Sequence, residues 1–270
     1  MSTMFDGKKI RDEILAQLSS RVSKLGRKPA LAVIWVGDDF ASARYIESKG
    51  RAAEKIGVHF DLIKYPTSVG QDEIEKKIDA LNSDPEIDGI MIQIPLPETL
   101  KMMELVNRVA AEKDVDALRY CAGSFCSFRP PVTLSIMEAV RRSGVDYKSA
   151  KIAIIGKGFL VGSPLARMFE AENADIRIAD EETPYIGTIT IDADIIISAT
   201  GKANLIEPRM IKKGVVLIDA GTTEVGGKLT GDISPSCYPK SSFYTPVPGG
   251  IGPVTIAMLL SNLVTAAERK

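Results

Sequence analysis

The chain has 270 residues, 45% hydrophobic and 26% charged, with 22 Gly and 15 Pro. Those proportions exclude collagen-like, disordered and coiled-coil chains and leave room for two domains. Lys and Arg number 34 against 35 Asp and Glu, a formal net charge of -1, so no global field draws in nucleic acid or an anionic membrane. Cys121, Cys126 and Cys237 form no CxxC pair, and with His59 the single histidine they cannot build a Cys/His metal site. The expectation is a cytoplasmic, reducing-compartment protein with neither metal nor disulfide. The first seven residues are polar and acidic, so no secretory leader is expected. No apolar run approaches the roughly 20 residues that span a bilayer.

Short apolar, β-branched runs alternate with helical patterns, the signature of parallel α/β architecture. Strands are expected over 30–36, 59–65 and 89–94, the first ended by Gly37 and the last by Pro95-Leu96-Pro97, which cannot continue a ladder. Helices are expected over 41–56, stopped by Gly57, and over 71–81 and 100–111. A second α/β unit starts with a helix over 135–142, followed by strands over 151–155, 175–179, 195–199 and 215–219. Helices over 165–171 and 255–268 complete it. The junction falls within 118–131.

The string Lys151-Ile152-Ala153-Ile154-Ile155-Gly156-Lys157-Gly158-Phe159-Leu160-Val161-Gly162 is a strand entering a Gly-rich turn, spaced GxGxxxG. Gly156 permits the bend, Gly158 lets the backbone approach a pyrophosphate, and Gly162 lets the next helix pack close with its N-terminus toward negative charge. A plain βα turn would use similar glycines; the position after a strand and before a helix favours a nucleotide site. Asp180 stands 24 residues beyond Gly156, where an acid binds a ribose hydroxyl, and Glu181 and Glu182 follow it. These carboxylates repel the 2′-phosphate of NADP and favour NAD. Lys157 pulls the other way, and an exposed acidic turn is the plainer alternative.

Ser42, Tyr45 and Lys49 share a face of the 41–56 helix. A lysine facing a cleft loses hydration, its pKa falls, and it exchanges protons near neutrality. Gln93, at the end of the third strand, is placed to hydrogen-bond that amine or a reacting water. A surface lysine packed over a tyrosine is the ordinary reading of such a pair. In Lys113-Asp114-Val115-Asp116 one acid can cap a helix or bind a guanidine-like edge by two parallel hydrogen bonds. In Thr245-Pro246-Val247-Pro248-Gly249-Gly250-Ile251-Gly252-Pro253, prolines restrict the chain while glycines allow close backbone approach.

Taken together, these strings resemble the methylenetetrahydrofolate dehydrogenase/methenyltetrahydrofolate cyclohydrolase family nearly end to end. The shared blocks are Phe5-Asp6-Gly7-Lys8, Val36-Gly37 followed by Ser42, Tyr45 and Lys49, and the run from Asp88 through Gln93 to Pro97. Lys113 to Asp116 and the segment 245–255 complete them. The resemblance implies two domains, an N-terminal α/β folate domain (1–118 with 251–270) and a Rossmann-like, doubly wound NAD(P)-binding domain (119–250). It also implies a folate cleft between them, with the C-terminal helix returning to the first. It implies Lys49 as the central catalytic group aided by Gln93, Tyr45 against the aminobenzoyl ring, and Asp116 on the pterin's amino edge. The same resemblance implies that the loop of Pro248, Gly249 and Gly250 covers the ligand. Gly156, Lys157, Gly158, Gly162, Asp180 and Glu181 are the cofactor-binding candidates, tetrahydrofolate derivatives the substrates, and a homodimer the assembly.

Hydride transfer from the one-carbon bridge needs alignment more than acid or base. Hydrolysis of the methenyl cation needs a proton acceptor for the attacking water, the role that suits Lys49. The family's usual strings change at Asp116-Ala117-Leu118-Arg119, at Pro130 to Ser135, at Gly156-Lys157-Gly158 and at Asp180-Glu181-Glu182. All lie in the junction or the cofactor half. NADP is the family default, whereas Asp180 and Glu181 favour NAD. The alternatives are a cyclohydrolase with a degenerate nucleotide site and a non-catalytic folate or nucleotide binder. A dehydrogenase of amino acids or shikimate-like acids is disfavoured by Gln93 and the 248–253 string.

Overall fold

The computed structural model describes residues 2–270, the side chains of residues 40 and 41 excepted. In chain order the elements are β1 (Thr3–Met4), α1 (Gly7–Val22), β2 (Ala30–Val36), α2 (Phe40–Lys55), β3 (His59–Tyr65), α3 (Gln71–Ser83) and β4 (Gly89–Ile92). Then come α4 (Met102–Arg108), α5 (Leu118–Cys121), α6 (Pro131–Ser143), β5 (Lys151–Ile155), α7 (Gly162–Ala171), β6 (Asp175–Ala179) and α8 (Gly187–Thr190). The chain closes with β7 (Ile195–Ser198), β8 (Val216–Asp219), β9 (Thr223–Val225), β10 (Lys228–Thr230), β11 (Phe243–Tyr244) and α9 (Ile251–Glu268). Two compact units result. One comprises Arg11–Pro131 with Ile256–Lys270, the other Val132–Thr255 with the chain up to Ile10.

The first unit is built on a three-stranded parallel sheet in the order β3-β2-β4, with Leu31 opposite Gly89 and Ala30 opposite His59. All seven residues of β2 are buried, as a central strand covered on both faces requires. Leu31 and Val33 of β2, Leu15, Leu18 and Val22 of α1, and Leu259, Leu260, Leu263 and Val264 of α9 form one core. By length and composition α9 is apolar enough to cross a membrane. Its buried residues make it a core helix of this unit. Its last turn is tied to α1, where Arg21 donates to Thr265 at 3.0 Å and meets Glu268 at 2.7 Å.

The second unit holds an all-parallel six-stranded sheet in the order β1-β11-β8-β7-β5-β6. After β5 the chain pairs outward to β6 on one side and then to β7 on the other. The strand order therefore reverses beside the carboxyl end of β5, where open α/β sheets bind ligands. β9 and β10 form a separate antiparallel hairpin.

The observed strands 30–36, 59–65, 151–155 and 175–179 have the expected limits. Others are shorter: β4 stops at Ile92 because Pro95 and Pro97 carry no N–H for the ladder. α4 covers Met102–Arg108 rather than 100–111, since Leu100 turns back to Pro97 and Val109 is already extended. α7 begins at Gly162 and α9 at Ile251, earlier than expected. In α9, Pro253 lies in the first turn, where its missing N–H has no intrahelical partner to lose. The expectation included neither α1 nor the edge strand β1, which pairs with β11.

Candidate active site

Asp39 starts α2 by accepting a hydrogen bond from the Ser42 N–H at 2.7 Å, which holds its carboxyl below the usual range. Two turns on, the Lys49 Nζ lies 3.2 Å from Gln93 Oε1 and 3.3 Å from Met91 Sδ. Gln93 follows β4 directly; its backbone N–H reaches the Ile34 carbonyl at 2.8 Å, and its Nε2 donates to the Ile94 carbonyl at 2.7 Å. That second bond fixes the amide so that its oxygen faces Lys49. Burial pushes the Lys49 pKa down, and the nearby Asp116 carboxylate partly restores it. For Asp116 burial pushes the pKa up and Lys49 opposes it.

Asp116 is brought here by backbone pairing of its segment with β4, in which Ile90 donates to the Lys113 carbonyl at 2.7 Å. Lys113 anchors the same segment by donating to the carbonyls of Leu81 and Asp84 at 2.9 and 2.6 Å. Ala117 then adopts a left-handed conformation, φ 56, that turns the chain into α5. Asp114 caps that helix, accepting from the backbone N–H of Leu118 at 3.3 Å and of Arg119 at 2.8 Å. Burial pushes Asp114 up to about 6. Of the two acids in Lys113-Asp114-Val115-Asp116, Asp114 has the capping task and Asp116 faces the lysine. Tyr45, 47% exposed, is not among the hydrogen-bond partners of Lys49 in the described residues.

In the second unit Gly156 ends β5 with φ +100, its N–H bonded to the Ala179 carbonyl at 2.8 Å. A Cβ on Gly162 would overlap the Gly156 carbonyl, so only glycine lets α7 start this close to the turn. Above Gly158 there is open space. Ser163 closes the turn, its N–H on the Gly158 carbonyl at 3.1 Å and its hydroxyl on the Lys157 carbonyl at 2.8 Å. A turn in which Gly156 by its positive φ and Gly162 by its close packing require glycine, and in which nothing crowds Gly158, could hold the pyrophosphate of a dinucleotide.

Beyond β6, Asp180 Oδ1 accepts from the Glu182 N–H at 3.1 Å and the Thr183 hydroxyl at 3.3 Å. Glu181 pairs with Lys202 at 3.5 Å, both exposed. Lys202 was not singled out in the sequence, since a surface lysine carries no local signal. The Pro-Gly loop, with a cis Val247–Pro248 bond, is held by the Gly7 N–H on the Gly249 carbonyl at 3.0 Å and by the Gly250 N–H on the Pro246 carbonyl at 2.8 Å. Also unforeseen is the buried pair Asp219 and Asp232. Asp219 accepts from the N–H groups of Gly221, Asp232 and Ile233, and Asp232 from Ser198 and Thr200. Burial, with the neighbouring acid, pushes Asp219 up to about 7.

Two family descriptions match nearly the whole chain: the tetrahydrofolate dehydrogenase/cyclohydrolase catalytic domain over residues 5–116, and the NAD(P)-binding domain of the same family over 130–270. The chain belongs to the tetrahydrofolate dehydrogenase/cyclohydrolase family. A family relative, the bifunctional protein FolD of Moorella thermoacetica, is 40% identical over 98% of this chain and 99% of its own. The bifunctional FolD structure from Campylobacter jejuni superposes with a TM-score of 0.95 at 34% identity, covering 100% of this chain and 99% of that one. The Trypanosoma brucei FolD, complexed with NADP cofactor and inhibitor, superposes at 0.92 with 30% identity over 99% and 98% of the two chains. In family terms Tyr45, Lys49, Gln93 and Asp116 fall within the catalytic domain, and the glycine turn within the NAD(P)-binding domain.

Proposed function

We infer that this chain oxidises methylenetetrahydrofolate to methenyltetrahydrofolate with NAD(P) and hydrolyses the product to formyltetrahydrofolate. The observation that carries the reading is the partly buried Lys49 amine, held by Gln93 at 3.2 Å in a chain of this family. Bound NAD(P) supplies the hydride acceptor for the first step. Gly156, Lys157, Gly158 and Gly162 hold its pyrophosphate at the start of α7.

For hydrolysis, water attacks the methenyl carbon and must lose a proton. Burial disfavours the charged form of Lys49, which makes its amine the better proton acceptor. Gln93 orients the amine. Asp116 serves both as counter-charge to Lys49 and as a bidentate acceptor for the pterin's amino edge. We assign Tyr45, whose ring is exposed for contact, to the aminobenzoyl group, and Pro248, Gly249 and Gly250 to substrate binding.

We propose NAD as the preferred cofactor. Support comes from the exposed carboxylates of Asp180 and Glu181 just past β6, which oppose a 2′-phosphate; Lys157 and Lys202 act against this preference. The test is methylenetetrahydrofolate oxidation with NAD and NADP separately, following the reduced nicotinamide and the methenyl absorption. Faster turnover with NAD is expected. Faster turnover with NADP overturns the cofactor assignment alone. No turnover with either, alongside intact methenyl hydrolysis, overturns the dehydrogenase assignment. A homodimer is the expected assembly, checked by light scattering.

A further inference from the structure

Met91 lies in β4 and Gln93 one residue past its end, where the Gln93 N–H still pairs with the Ile34 carbonyl at 2.8 Å, so the two face the same side. Both reach the same atom: Lys49 Nζ is 3.3 Å from Met91 Sδ and 3.2 Å from Gln93 Oε1. Met91 is 1% exposed and Gln93 9%, so neither partner is exchanged for water easily. A neutral amine has two N–H bonds and one lone pair. With Cε, the sulfur and the amide oxygen occupying three directions about Nζ, the lone pair is left the fourth.

We propose that Met91 is a positioning residue for the hydrolysis step: its thioether sulfur, together with the Gln93 amide oxygen, fixes both N–H bonds of Lys49 and aims the nitrogen lone pair at the attacking water. The inference rests on the catalytic reading of Lys49 given above. The chemistry of sulfur suits the task. A thioether is a weak, polarisable acceptor, able to orient an N–H without stabilising an ammonium as an oxygen does. An amide or carboxylate oxygen at the same place would favour the charged form and remove the proton acceptor. Among the described residues the charge acting on Lys49 is that of Asp116, from the segment beside β4, which acts in turn on Asp114; Met91 and Gln93 are neutral.

The test compares wild type with Met91→Leu, which keeps apolar volume, and Met91→Gln, which substitutes an oxygen acceptor. Lys49 is titrated directly by its 13Cε resonance, assigned by its loss in Lys49→Arg, and the pH profile of methenyl hydrolysis is recorded in parallel. In Met91→Gln both the titration and the acid limb of the profile move up by about half a pH unit or more. In Met91→Leu the titration moves down, and kcat falls about 5- to 20-fold with KM unchanged, because the lone pair is no longer aimed. Opposite displacements distinguish hydrogen bonding from packing, which moves neither.

An unchanged Lys49 titration in both variants, or one moving the same way in both, overturns the proposal. A titration that moves as expected while the hydrolysis profile stays still upholds the hold of sulfur on the amine. That outcome refutes instead the assignment of Lys49 as the proton acceptor. Should Met91→Gln fail to fold, Met91→Leu decides alone, with kcat and titration both unaltered as the contrary result.

Discussion

Gly162, the first residue of α7, packs so tightly against Gly156, the residue ending β5, that a methyl group on it would overlap the Gly156 carbonyl. The strand, turn and helix therefore form one rigid cradle rather than a flexible connection. Gly162→Ala is predicted to destabilise the protein by about 1–3 kcal/mol through overpacking. It is also predicted to weaken NAD(P) binding at least tenfold, because the turn must open to admit the methyl group. Calorimetric titration with NAD(P) and a thermal melt check this; undiminished affinity contradicts it.

Glu181 and Lys202 form an exposed ion pair at 3.5 Å, worth little to stability in itself. On the proposed preference for NAD, its consequence is for cofactor choice, with Glu181 engaging a cation that would otherwise be free to meet a 2′-phosphate. The double change Asp180→Asn/Glu181→Gln removes two negative charges, keeps the Asp180 acceptor of the turn and frees Lys202. NADP affinity relative to NAD is predicted to rise about tenfold, the worth of roughly 1.4 kcal/mol. Equilibrium binding of the two cofactors reads the ratio, and an unaltered ratio rejects these acids as discriminators.

Strands β2 to β8 were legible as short apolar, β-branched runs, and β2, β3, β5 and β6 have the expected limits, whereas the two- and three-residue strands β1, β9, β10 and β11 are too short to show a pattern. Lys49 and Gln93 were legible as residue types that can exchange and orient a proton, and the structure brings them together. Other features carry no local signal. Methionine in a buried strand reads as core, so Met91 gave no sign that its sulfur meets the lysine. Glu181 and Lys202 lie in the segments after β6 and β7, the strands on either side of β5, and Asp232 returns to Asp219 past the β9–β10 hairpin, so neither pairing leaves a local pattern in the sequence. Helix α1 did carry a signal, with Ile10, Leu15, Leu18 and Val22 buried at helical spacing among charged residues.

Asp114 is 3% exposed, and burial raises its pKa from 3.8 to about 6. A carboxyl with a raised folded-state pKa favours the native state in its protonated form. Its effect is most favourable below about pH 4, and the penalty for ionising it grows until pH passes about 6. Asp114→Asn removes that titration and retains an acceptor for the Arg119 N–H. The stability of Asp114→Asn relative to wild type should therefore rise with pH between about 4 and 6, by up to about 3 kcal/mol, and level off above. Urea denaturation of both proteins across that range checks it; a pH-independent difference contradicts it.

In the proposed hydrolysis Lys49 accepts the proton lost by the attacking water. The direct measurement is the rate of methenyltetrahydrofolate hydrolysis in Lys49→Met, compared with wild type at equal saturation, with the melt and NAD(P) affinity as controls. The amine is lost while a side chain of similar length fills its place. A fall in kcat of about 10²–10⁴ with an unchanged melt and unchanged NAD(P) affinity is predicted. Hydrolysis at the wild-type rate in a folded Lys49→Met protein would leave the proton transfer to another group.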